Sequence, residues 1–135
     1  MTRLYMLDTD TCAFVLCRSS EVLLERIQQV PIERQMISMV TLAELLYGVL
    51  ESNKKKANRA SVDAFVRHLT VKEWSRDAAE HYAEIRVDLK RKGQMIGEND
   101  LMIAAHARSL DATVVTINGK DFGRVKGLKV ENWMQ

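Results

Sequence analysis

Very little in this sequence interrupts a fold: 135 residues contain one proline and six glycines. So few breakers exclude a linker-rich, collagen-like or disordered chain. Cysteine is almost absent. Cys12 and Cys17 lie five apart in an apolar stretch, fit neither a zinc pattern nor a disulfide framework, and read as buried free thiols. No apolar run approaches the roughly 20 residues that a membrane span needs. The N-terminal MTRLYMLDTDT meets Asp8 after only a short apolar run, unlike a signal peptide, so the expected location is the cytosol. A dominant charge is missing too. The net charge is +2, so bulk charge does not announce a nucleic-acid binder. Three clusters do carry local positive charge: Lys54–Lys56 with Arg59, Lys90–Lys92, and Lys120 with Arg124, Lys126 and Lys129. Each either attracts phosphate or solubilises a helix end.

What is present is apolar: 47% of the residues, enough for one domain over 1–135 with a real core. No internal repeat or low-complexity tract divides it. Leu4–Leu7 reads as a buried strand ending at Asp8. Thr11–Cys17 and Ser20–Val30 read as helices, the second closed by Pro31. Gln35–Met39 reads as a second strand. Thr41–Leu50 is helical, with Leu42, Leu45, Leu46 and Val49 on one face. After a polar gap at Asn53–Lys56 a helix runs to Leu69, followed by a short strand over Thr70–Trp74. Ser75 caps a long amphipathic helix through Lys92. Gly93 and Gly97 precede a helix over Glu98–Ser109. Thr113–Thr116 is an apolar strand, and Leu128–Val130 adds another. Short strands alternating with helices predict an α/β fold of three layers, α/β/α, around a short central parallel sheet of 4–5 strands.

That fold class locates the chemistry. Right-handed crossovers start each connecting helix at the carboxyl edge of the strands, where ligands bind. Four acids fall there. Asp8 ends the first strand, Glu44 sits in the first turn after the second, Asp100 is in the first turn of its helix, and Asp121 follows the Thr113–Thr116 strand. Asp10 is a fifth candidate. Each also has a structural reading: Thr41 and Glu44 have capping-box spacing, Asp10 suits an N-cap, and Glu98 or Asp100 complements a helix dipole. The combination argues for more. Asp8 and Asp100 adjoin strongly apolar segments, where an unpaired charge is costly to bury, and converging carboxylates resist joint ionisation. A divalent cation removes both objections, and oxygen-only ligands point to Mg²⁺ or Mn²⁺ rather than zinc. Such an ion acidifies water, neutralises phosphate charge and stabilises a leaving oxygen, so a phosphodiester is the natural substrate.

At these residues the sequence resembles the VapC toxins, the PIN-domain ribonucleases of bacterial and archaeal toxin–antitoxin pairs, most of all their enterobacterial and Haemophilus-like branch. The resemblance is carried by YMLDTDTC (Tyr5–Cys12), ISMVTLAELLYGV (Ile37–Val49), GENDLMIAAHA (Gly97–Ala107) and VVTINGKDFGRVKGLKVENW (Val114–Trp133). It spans nearly the whole chain and implies a PIN-like fold. It also implies that Asp8 and Asp100 bind the metal directly and that Glu44 completes the pocket. Where many PIN domains have an Asp after the last core strand, this chain has Asn118, and Asp121 follows three residues later as its substitute. Position 10, commonly Asn in the family, is Asp here. The resemblance further implies a homodimer and a VapB antitoxin whose C-terminal segment covers the acidic pocket and whose N-terminal part binds operator DNA. The implied substrate is structured RNA, commonly tRNA, with the anticodon stem-loop of initiator tRNA favoured in the related branch.

Two other readings compete. A haloacid-dehalogenase-type phosphatase would use Asp8 as nucleophile and Asp10 as general acid, but Cys12 replaces the usual Thr of its motif and no downstream Asp pair follows an apolar strand. A non-catalytic RNA- or protein-binding PIN module would have no need of Asp8, Glu44 and Asp100 together. His68, His81 and His106 share no ligand spacing and read as solvated or partly packed. Trp74 and Trp133 suit base stacking or packing alike. The apolar helix faces between Val62 and Leu89 suit a dimer or an antitoxin.

Overall fold

Each of the three central strands contributes consecutive buried residues to opposite sides of one sheet, and that alternation explains the architecture. In the computed structural model, which describes residues 2–135, β1 is Tyr5–Leu7, β2 Gln35–Ser38, β3 Thr70–Lys72, β4 Thr113–Val115 and β5 Lys129–Glu131. The five strands are all parallel, in the order β3-β2-β1-β4-β5, with Met6 opposite both Met36 and Val114. Because side chains alternate with period two, Met6, Met36 and Val114 enter one core while Leu7, Ile37 and Val115 enter the other.

The helices are α1 Thr9–Cys17, α2 Glu21–Gln29, α3 Met39–Glu51, α4 Lys55–Val66, α5 Arg76–Lys92, α6 Glu98–Ser109 and α7 Gly119–Phe122. The first core takes Ile85 and Leu89 of α5, and Leu101, Ile103 and Ala104 of α6. The second takes Cys12 of α1, Leu23 of α2, Leu45 and Val49 of α3, Val62 of α4, and Trp133. Both faces are therefore covered, as a parallel sheet requires. The three-layer α/β/α arrangement predicted from the alternation of elements is the one observed.

Several local expectations change. The β2 strand stops at Ser38, whose hydroxyl accepts from the Val40 N–H, so α3 starts at Met39 rather than Thr41. Glu44 thus lies in the second turn, and no capping box forms with Thr41. The cap of α1 is Asp8 itself, accepting from the Thr11 N–H, and Asp10 is merely in the first turn. Cys12 is buried as expected, with burial and then the Asp8 charge pushing its thiol pKa well up, but Cys17 is exposed. His106 is fully packed rather than solvated, its Nδ1 lying 2.8 Å from Ser38 Oγ. Trp133 is buried edge-on to Tyr5 with the Arg26 guanidinium over its ring, which removes it from base stacking. The basic clusters are partly neutralised: Arg59 pairs with Asp63, Lys92 with Asp88, and Lys129 with Asp111. Two elements were unforeseen, the four-residue α7 and a 3₁₀ turn over Ile32–Arg34.

Ser75 caps α5 as its sequence predicts, and Gly93 ends it in the left-handed region at φ 64°. A Cβ at Gly93 would meet no neighbour, so Gly93→Ala isolates the backbone cost. The substitution should lower stability by about 1 kcal/mol, seen as a lower urea midpoint with an unchanged slope.

Candidate active site at the carboxyl edge of the sheet

The chain runs from β1 outward through β2 to β3, then crosses back to place β4 on the other side of β1. The strand order therefore reverses between β1 and β4, and the crevice beyond that point is where an open α/β sheet binds its ligand. Asp8 and Thr116 stand at its two sides, each directly after its strand.

Asp8 is 1% exposed and held on both oxygens. Oδ1 accepts from the Thr11 N–H at 2.9 Å and Oδ2 from the Thr116 hydroxyl at 2.5 Å. Its backbone N–H donates to the Val115 carbonyl, continuing the sheet past its last strand pair. Burial raises the Asp8 pKa, and the hydrogen bonds from Thr116 and Thr11 oppose that rise.

Asp100 sits in the first turn of α6, half-buried. Its pKa is pushed from 3.8 up to about 6, first by burial and then by the charges of Asp8, Asp10, Glu44 and Asp121. Asp8, Asp10, Glu44 and Asp121, from the end of β1, α1, α3 and α7, are thus close enough to Asp100 on α6 for their charges to disfavour its ionisation. Glu44 receives the Thr9 hydroxyl at 2.5 Å on Oε1 and the Asn99 amide at 3.0 Å on Oε2.

The fourth acidic position is built differently. The Asn118 N–H donates to Thr116 Oγ1, and its side-chain amide donates to Asp121 Oδ2 at 3.0 Å. Arg124, 3.8 Å from Asp121 Oδ1, also donates to the Met95 carbonyl in the loop before α6. Asn118 thus orients Asp121. The roles of Thr9, Asn99, Thr116 and Arg124 were not read from sequence. Hydroxyls and amides adjoining a candidate acid were the available signal.

Among the described residues, no group of three or more His, Cys, Asp or Glu side chains is placed to hold one ion, so Asp8, Glu44 and Asp100 do not form a ready three-acid set. The oxygen-only donors, and an acid whose pKa burial and then four other carboxylates raise to about 6, suit a hard divalent cation chemically.

A parallel α/β/α sandwich with acids gathered at its strand-order reversal is a form shared by metal-dependent phosphoryl-transfer enzymes, nucleases among them. The PIN-domain family model matches residues 5–128. Ribonuclease VapC2 of Rickettsia felis is 38% identical over 96% of this chain and 98% of its own length. The tRNA(fMet)-specific endonuclease VapC of Salmonella typhimurium is 40% identical over 96% and 97%. The crystal structure of DNA-bound VapBC from Salmonella typhimurium superposes with a TM-score of 0.92 at 40% identity, covering 97% of this chain and 98% of that one. The VapBC2 structure from Rickettsia felis bound to a promoter DNA fragment gives 0.92 at 37% identity, over 96% and 98%. The chain belongs to the VapC ribonucleases of the PIN-domain family. PIN-domain nucleases generally depend on a divalent metal. Neither the phosphatase nor the non-catalytic reading is favoured.

Proposed function

We propose that this protein is a Mg²⁺-dependent endoribonuclease, with Mn²⁺ as a substitute, that cuts structured RNA of the tRNA class. We further propose that it acts as one domain over residues 1–135 and as the toxin of a pair silenced by a VapB-type antitoxin. Asp100 carries the reading: burial first, and then the charges of the other carboxylates at the strand-order reversal, raise its pKa to about 6. It does so in a chain 40% identical, nearly end to end, to a tRNA(fMet)-specific endonuclease. Initiator tRNA and its anticodon stem-loop are the substrate that this relative suggests. Operator DNA would be reached only through the antitoxin, as the DNA-bound VapBC relatives suggest.

Asp8 and Asp100 would hold the ion. When bound, it supplies an acidified water and positive charge opposite the phosphate and the leaving oxygen. The protein's own groups do the rest. Thr11 N–H and the Thr116 hydroxyl fix the plane of the Asp8 carboxylate. The neighbouring carboxylates would orient water at the site and accept its proton, and Asn118 fixes Asp121 through its side-chain amide.

On α3, Met39, Tyr47 and Leu50 leave an apolar stripe open to solvent, Tyr47 at 66% and Leu50 at 69% exposed. A second copy of the chain would cover this stripe in a homodimer, a different face from the α4–α5 region expected above. Tyr47→Glu should shift the sedimentation coefficient to that of a monomer, whereas an unchanged dimer would move the interface elsewhere.

The deciding experiment expresses the chain without antitoxin and sequences the 5′ ends of the RNA fragments. Fragment ends should gather at one loop of a tRNA. Intact RNA together with a phospho-aspartyl adduct on Asp8 would replace this reading with a phosphatase.

A further inference from the structure

Arg124 directly follows the short helix α7, and its backbone is firmly held. Phe122 and Val125, on either side of it, are both buried in the first core. Its N–H donates to the Asp121 carbonyl at 3.1 Å. The side chain is 29% exposed and uses one nitrogen for all of its protein contacts. Nη1 donates to the Met95 carbonyl at 3.2 Å and reaches the Gln94 carbonyl at 3.5 Å, both in the loop that runs into α6. The same Nη1 lies 3.8 Å from Asp121 Oδ1. Among the described residues, Nε and Nη2 have no partner.

That division of labour has a chemical consequence. A guanidinium carries two parallel N–H bonds along its Nε–Nη2 edge, spaced to meet two oxygens of one phosphate. Here the opposite end is pinned on neutral carbonyls. The fork is therefore set before a ligand arrives, and little side-chain freedom is left to lose on binding. Its charge is also poorly compensated. The contact with Asp121 lies at the outer limit of an ion pair, and the other Asp121 oxygen takes the Asn118 amide at 3.0 Å. An arginine whose only task was to tie α7 to the α6 loop would turn its fork onto the carboxylate beside it.

The position is as telling as the geometry. Asp121 is one of the acids whose charge reaches Asp100, and the loop that Arg124 holds leads into the helix that carries Asp100. The guanidinium thus stands on the α6–α7 side of the crevice, next to the acids but not among them. A strand of RNA brings a phosphate at every nucleotide, so those flanking the cut need a cation on the crevice wall.

We propose that the Nε–Nη2 edge of Arg124 is a phosphate site, which grips a backbone phosphate of the RNA beside the one that is cut. The inference rests on the reading of this edge of the sheet as the active site of an RNA-cutting enzyme.

The test measures binding of a full-length tRNA transcript against sodium chloride concentration, in the Asp100→Asn background so that the RNA stays whole. Adding Arg124→Gln, which keeps a donor for the Met95 carbonyl, should weaken binding about tenfold or more at low salt. It should also lower the slope of log affinity against log salt by about 0.7–0.9, the loss of one phosphate contact. Arg124→Lys should keep the slope, because the charge remains, yet bind several-fold more weakly for want of the fork. Circular dichroism confirms that each variant is folded.

If Arg124→Gln lowers the thermal midpoint but leaves the salt slope unchanged, Arg124 only ties the loop and the phosphate site is overturned. If Arg124→Lys binds as tightly as arginine, a point charge suffices and the fork is overturned. If the Asp100→Asn protein cuts the RNA as the parent does, or binds none at low salt, the reading of this edge as the active site falls and takes the phosphate site with it.

Discussion

Asp100→Asn should abolish RNA cleavage while leaving a protein that folds at least as well as the parent. The asparagine keeps the size of the side chain and removes one charge from a region where four other carboxylates oppose it. Several kcal/mol of charge stabilisation depend on the ion that Asp100 would hold, so the rate should fall by roughly a thousandfold or more. The metal-free variant should also be more stable than the parent at pH 7.5. The folded-state pKa of Asp100 is raised, so the folded protein binds this proton more tightly than the unfolded chain does. The stability penalty is complete above about pH 6 and disappears as pH falls toward 3.8. The advantage of the variant should shrink over that same interval. His106, whose pKa burial lowers below 6.5, adds stability above 6.5 that is lost on acidification, but it does so in both proteins and cancels in their difference. Full cleavage by Asp100→Asn would remove the assignment of this edge as the active site.

Chelation should have an equally large effect and a distinctive pH dependence. EDTA should stop cleavage, and Mg²⁺ or Mn²⁺ should restore it. Because a proton and the ion compete for Asp100, metal should raise the thermal midpoint strongly at pH 7.5 and progressively less below about pH 6. Asp100→Asn should respond weakly to metal across the whole range. A midpoint shift by metal that does not change between pH 5 and 8 would place the ion on other groups.

How much of this was readable in advance differs between sheet and site. The three-residue alternation that sends Met6 and Leu7, or Val114 and Val115, to opposite cores is short, yet its repetition with intervening helices was enough for the three-layer architecture. Helix ends went wrong where a polar residue had two possible tasks. Thr41 and Glu44 carry capping-box spacing, but Ser38 had already capped the helix. Asp10 has the right type for a cap, but Asp8 took that position. The acids themselves were visible because charge beside apolar sequence is conspicuous. The neutral groups that hold them, Thr9, Asn99 and Thr116, were not, since a threonine or asparagine reveals its partner only when residues 35, 55 or 108 positions apart meet. Cys17 escaped for a simpler reason. Its neighbours in sequence are apolar, but its side of α1 faces a groove with α3 and α4 rather than the core.

Asp8 caps α1 with the same carboxylate that borders the crevice. Removing it would leave a helix start without its acceptor, at about 0.5–2 kcal/mol, so an Asp8→Ala protein that fails to cut RNA has two defects at once. A silent version of this nuclease, wanted for trapping uncut RNA or for safe overproduction, is therefore better sought at position 100, where the proposed role predicts loss of cleavage without a loosened scaffold.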